Sequence, residues 1–116
     1  MADGRGAYPC ILNDSVNKQP MRRCYLVCYD IRNPKRLKRV NTILKGYGEA
    51  LQLSVFFCFL KSIDRVRLQT DLEEEMNQKD DQVLIFDLGP DEKKAREAIA
   101  VIGQPLPEPN GRIMVI

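Results

Sequence analysis

The sequence predicts an α+β domain: a β-α-β-β-α-β sandwich with helices on one face of an antiparallel sheet, followed by an additional C-terminal helix and strand. Three observations predict it. Apolar runs rich in β-branched and aromatic residues recur at 23–31, 51–60 and 82–88. Between them lie stretches whose apolar residues repeat at helical spacing. Finally, 116 residues with 44% hydrophobic content supply one small core and no second module.

The elements follow in order. Residues 1–20 are rich in Gly, Pro, Asn and Asp without periodicity and read as a flexible N-terminal extension, so the folded domain spans 21–116. RCYLVCYDI, from Arg23 to Ile31, reads as a central strand. Asn33 and Pro34 suit the N-cap and first turn of a helix, along which Leu37, Val40, Ile43, Leu44 and Tyr47 form one apolar stripe. Gly46 and Gly48 stop that helix. Leu51 to Leu60 holds a strand, a tight bend and a second short strand. Ser62 caps a second helix with Ile63, Val66, Leu68, Leu72 and Met76 as its apolar positions and Glu73 to Glu75 on its outer face. Gln82 to Leu88 reads as another buried strand. Pro90 opens a short helix with Ala95, Ala98, Ile99 and Ile102 on one side, closed by Gly103. A proline-rich linker then leads to Ile113–Ile116, so that 104–116 reads as a linker and a strand lent to a dimer partner. This order is that of the ferredoxin-like fold, here expected as a homodimer.

Composition excludes several chemistries. The chain has no histidine, which removes the usual general base, the usual zinc ligand and every histidine-containing triad. Cys24 and Cys28 lie on one strand, about 13 Å apart, too far for a disulfide or a shared metal. No apolar run approaches the ~20 residues of a membrane span, and no signal-peptide pattern opens the chain, so a cytoplasmic protein without membrane contact is expected. Net charge is only +2, but 21–45 carries eight Lys or Arg against one acid, and 62–92 carries ten acids against three bases. A basic stretch of this kind points to phosphate as a partner. Lys45-Gly46-Tyr47-Gly48 begins like an RNA-recognition signature, but Glu49, Ala50 and Leu51 follow where aromatic and β-branched residues are needed. It reads as a helix end.

The one acid in the basic half is Asp30. It follows six uncharged residues and is not needed as the helix cap, because Asn33 fills that role. Two readings stand. Asp30 either pairs with Arg32 or Arg36 or forms an Asx-turn, or it is a metal ligand at a strand tip beside a phosphate-binding helix. In the second reading, a two-fold dimer adds the second Asp30.

The string YLVCYDIRNPKRLKRVNTILKGYG, from Tyr25 to Gly48, with LQLSVF at Leu51 to Phe56 and VIGQPL at Val101 to Leu106, resembles the CRISPR-associated protein two family, small adaptation proteins often described as endoribonucleases. The resemblance implies a ferredoxin-like homodimer whose terminal strand completes the partner's sheet. It implies a subunit that bridges copies of the larger CRISPR adaptation integrase and carries double-stranded DNA during spacer acquisition. It also implies Mg²⁺- or Mn²⁺-dependent endonuclease activity on single-stranded RNA or double-stranded DNA. Asp30 would then be the catalytic and metal-binding residue, with one ion shared at the dimer interface. Arg32, Lys35, Arg36, Lys38 and Arg39 would contact nucleic acid. Where many members carry an acid after S-V-F, this chain has Phe57. The alternatives are a stand-alone metal-dependent endoribonuclease or DNase and, from the fold alone, an RNA-binding or regulatory domain.

Overall fold

The computed structural model describes residues 21–106. They form β1 (Arg22–Asp30), α1 (Pro34–Lys45), β2 (Glu49–Gln52), β3 (Val55–Lys61), α2 (Ser62–Glu75), β4 (Gln82–Gly89) and α3 (Glu92–Glu97). The four strands make one antiparallel sheet in the order β2-β3-β1-β4. The expected β-α-β-β-α-β succession is therefore present. The extension at 1–20 and the exchanged strand at 113–116 lie outside the described residues.

Side chains alternate across β1, and that alternation creates two cores. Tyr25, Val27 and Tyr29 join Phe56, Cys58 and Leu60 of β3 beneath Val40 and Leu44 of α1 and Leu68 and Leu72 of α2. Cys24 faces the other way, clustering with Leu51, Phe57 and Ala95, with Leu26, Phe59, Leu88 and Ile99 packed around them. Val27, Val40, Leu44, Phe56 and Leu68 are wholly removed from solvent, each contributing about 1.5–3 kcal/mol. The added helix α3 thus covers the sheet face opposite α1 and α2. Arg96 fastens it there, paired with Glu49 at the start of β2 and with Glu92, its guanidinium 4.2 Å from the Phe57 ring centre.

Four local expectations are corrected. Ser62 is not a cap: the N-cap position is Lys61, and no side chain accepts a hydrogen bond there. Ile63 and Val66 are more than half exposed, because at 100° per residue they lie about 140° and 160° around the helix from Leu68. β4 is not a buried strand but the edge of the sheet. Val83 and Ile85 pack beneath the helices, while Leu84 and Phe86 remain nearly half exposed on the opposite face, beyond the part that α3 covers. The last helix is capped by Asp91, whose carboxylate accepts from the Lys94 amide at 3.1 Å, and it ends at Glu97, well before Gly103.

Gly48 does more than end α1. It follows the helix's C-terminal cap at Gly46 and passes directly against β3, where a Cβ would collide with the Phe57 carbonyl and the Cys58 Sγ. Gly48→Ala should therefore cost about 1–3 kcal/mol in urea unfolding by overpacking a site whose nearest wall is backbone. Gly46→Ala meets only the Ile43 carbonyl, at 3.3 Å, and should cost distinctly less.

Candidate functional site

The end of β1 is where the sequence predicted chemistry, and local structure explains how it is presented. Asn33 adopts extended backbone and its Oδ1 accepts from the amides of Lys35 and Arg36 at 2.8 and 3.1 Å, so α1 begins three residues after β1 ends. Tyr29 turns into the helix-side core, stacks against Phe56 with ring centres 6.3 Å apart, and donates its hydroxyl hydrogen to the Leu53 carbonyl at 3.0 Å. The Asn41 amide donates to the same hydroxyl oxygen. With Tyr29 fixed inward, alternation directs Asp30 to the opposite side, and its carboxylate is exposed.

Asp30 makes no ion pair and no side-chain hydrogen bond among the described residues, so neither the Arg32 or Arg36 pair nor the Asx-turn forms. Arg36 points instead to Asp81, donating from Nε to Oδ2 at 2.8 Å and from Nη2 to Oδ1 at 3.2 Å. Arg39 reaches Glu75 of α2 at 3.3 Å, an exposed pair of little energetic weight. Arg32, Lys35 and Lys38 are exposed, and none is ion-paired among the described residues. The structure therefore gathers Asp30, Arg32, Lys35 and Lys38 at one end of the sheet and sets Arg36 to a different task.

That task centres on Asp81, which the sequence reading counted only as part of the acidic half. Its side chain is closed to solvent. It also accepts from the Arg32 amide at 3.0 Å and the Asn77 amide at 2.9 Å. One carboxylate thus joins the β1–α1 corner to the loop that delivers β4, whose first residue, Gln82, is paired with Asp30. The Arg36 guanidinium, together with the two amides, holds the Asp81 carboxyl well below the usual carboxylate range against the opposing effect of burial. Nothing in a loop reading NQKDD singles out the second aspartate; only the fold brings Arg36 to it.

Elsewhere, the Tyr47 hydroxyl donates to Asp71 at 2.7 Å, which pushes its pKa up to about 12 and ties α1 to α2. Burial pushes the Cys58 thiol up to about 12 and raises Cys24 and Cys28 as well, so none is a ready thiolate. Among the described residues no three His, Cys, Asp or Glu side chains cluster to hold a metal ion, and no helix is long and apolar enough to cross a membrane. One exposed carboxylate is a hard oxygen ligand of the kind Mg²⁺ and Mn²⁺ take. It supplies part of a coordination shell that water, a phosphate or a second carboxylate must complete.

Fold and site together define a small split β-α-β domain that presents an exposed acid, unpartnered among the described residues, and a row of cations at one end of its sheet. The profile of the family described as CRISPR associated protein Cas2 matches residues 22–96, and the chain belongs to that family. It is 40% identical over 84 residues to a CRISPR-associated endoribonuclease Cas2 of Geobacter sulfurreducens, covering 72% of this chain and 87% of that protein. It is 37% identical to a CRISPR-associated endonuclease Cas2 of Thermus thermophilus, covering 75% and 90%. Among solved structures it resembles Streptococcus pyogenes Cas2, with a TM-score of 0.62 at 28% identity over 69% of this chain and 99% of that one. A hypothetical protein of Thermus thermophilus gives a TM-score of 0.64 at 30% identity, covering 76% and 98%.

The Asp81 pKa has a consequence for stability. A carboxyl whose folded pKa is depressed stabilises the fold fully above its unfolded value near pH 4 and loses that contribution as pH falls toward the folded value. Asp81→Asn should therefore be less stable at neutral pH and show a flatter acid limb. Urea midpoints measured from about pH 7 down to about pH 2 should converge for the two proteins at the acid end.

Proposed function

We propose that this chain is a CRISPR adaptation subunit: a homodimeric scaffold that carries double-stranded DNA for spacer integration by a larger integrase, with metal-dependent endonuclease activity of its own at Asp30. The observation that carries the reading is the exposed Asp30, without a side-chain partner among the described residues, beside Arg32, Lys35 and Lys38, whose charges no acid among those residues neutralises. Cations so arranged bind phosphates without reading sequence, which is what a carrier of arbitrary DNA requires. The edge of β4, unpaired among the described residues, with Leu84 and Phe86 half exposed beside it, supports pairing with a second copy.

Two-fold pairing would supply the second Asp30, and the pair would share one Mg²⁺ or Mn²⁺ ion. An ion held by Asp30 would supply polarisation of a phosphodiester and a lowered pKa for an attacking water. The chain's own part is to hold the strand: Lys35 and Lys38, nearly one helical turn apart, engage successive phosphates, while Arg36 with Asp81 keeps the β1–α1 corner rigid. A second reading, a stand-alone metal-dependent endoribonuclease, draws on the names borne by the relatives.

Asp30→Asn should abolish cleavage of RNA or DNA by the purified protein while leaving dimerisation, duplex binding and spacer acquisition intact. Loss of acquisition with dimer and integrase binding preserved would overturn the scaffold reading. Charge reversal at both Lys35 and Lys38 should reduce the slope of log K against log salt by about one for each phosphate contact removed. An unchanged slope would remove the start of α1 from the interface.

A further inference from the structure

A carboxylate close to a guanidinium ordinarily pairs with it, and the chain places Arg36 in the first turn of the helix that follows Asp30. Asp30 nevertheless stays without a side-chain partner among the described residues, because Arg36 is taken by Asp81. Asp81 is the one buried charged residue among those described, with its side chain closed to solvent. Arg36 donates to both of its oxygens, and the amides of Arg32 and Asn77 donate to one each. A shielded ion pair is not needed to join a helix corner to a loop. Two packed apolar side chains of similar volume serve as well or better, since neither has to be stripped of water. Stability alone therefore gives no reason for Asp81. Its place in the fold does: Gln82, the next residue, lies directly across the ladder from Asp30, with about 5 Å between paired Cα atoms. A long side chain that reaches Asp81 from α1 has Asp30 within its range as well.

We propose that Asp81 is a positioning residue that keeps Arg36 off Asp30, so that the exposed carboxylate stays free for a divalent cation. This inference rests on the reading of Asp30 as a metal ligand, and it explains how that ligand stays available in a neighbourhood of cations. Arg36 released from Asp81 competes with the metal for the same oxygens. The apparent metal affinity then falls by the fraction of molecules in which the arginine holds them. The two partners of one ion pair thus have unequal roles. The fold loses by the removal of either, whereas metal binding loses only when Asp81 is removed and Arg36 remains.

The test measures Mn²⁺ binding to the full chain at low ionic strength, from the loss of the free-ion electron paramagnetic resonance signal, together with thermal unfolding. Asp81→Asn should bind Mn²⁺ about fivefold more weakly than the wild type, the weight of an exposed ion pair. Arg36→Gln should also unfold at lower temperature, yet keep the wild-type Mn²⁺ affinity. The double variant Asp81→Asn/Arg36→Gln should regain that affinity, because no arginine is left to compete. Unaltered affinity in Asp81→Asn, an equal loss in both single variants, or a weak double variant each overturns the proposal. Asp81→Ser, which still accepts from a backbone amide, replaces Asp81→Asn if that variant does not fold. Asp30→Asn separates the two readings. If it binds Mn²⁺ as the wild type does, Asp30 is not the ligand and both readings fall. If it has lost binding while Asp81→Asn has not, the role of Asp81 alone falls.

Discussion

Strand β1 is buried from both sides, and the rest of the molecule depends on that. It pairs with β3 along one edge and β4 along the other, so it has no free edge, and its odd- and even-numbered side chains feed different cores. A strand in that position cannot slip by one residue without exchanging Tyr25, Val27 and Tyr29 with their neighbours on the opposite face. The register that fixes the two cores also fixes where Asp30 emerges. The site is thus a by-product of core packing: Tyr29 is pinned inward by Phe56 and by the Leu53 carbonyl, Ile31 returns to the same core, and Asp30 between them faces the other way and is exposed.

Charge is used in two distinct ways around that strand. Arg36 with Asp81 and Arg96 with Glu49 are largely shielded from water and join segments far apart in sequence. Removing one partner of such a pair leaves a shielded charge unmatched, which is why they act as structural fasteners. Lys35, Lys38 and Arg32 differ from them only in being exposed and uncompensated among the described residues. Arg36 and Lys35 are adjacent on the same helix, yet the turn of the helix sends one toward the β4 loop and leaves the other in solvent.

Much of this was legible in sequence because it rests on short-range rules. The Asn33-Pro34 helix start, the stripe of Val40 and Leu44, and the alternation of β1 are set by residues within a turn or two of each other. The exposed Ile63 and Val66 and the edge position of β4 were not legible. An apolar residue on an amphipathic helix or an apolar strand looks the same whether or not something covers it, and strand order is decided by long-range pairing. The family resemblance rests on Y-D-I at Tyr29 to Ile31, a basic helix ending in G-Y-G at Gly46 to Gly48 and S-V-F at Ser54 to Phe56, and the family profile over residues 22–96 bears it out.

By itself, the sequence determined which segments become strands and helices and that an acid stands alone in a basic half, because backbone propensity, capping and periodicity are local properties of the chain. Only tertiary structure decided that Arg36 belongs to Asp81 and that α3 crosses to the far face of the sheet. Each of those joins residues dozens of positions apart, 45 for Arg36 and Asp81 and 47 for Arg96 and Glu49, and electrostatic and packing energies depend on distances in space that linear order does not contain.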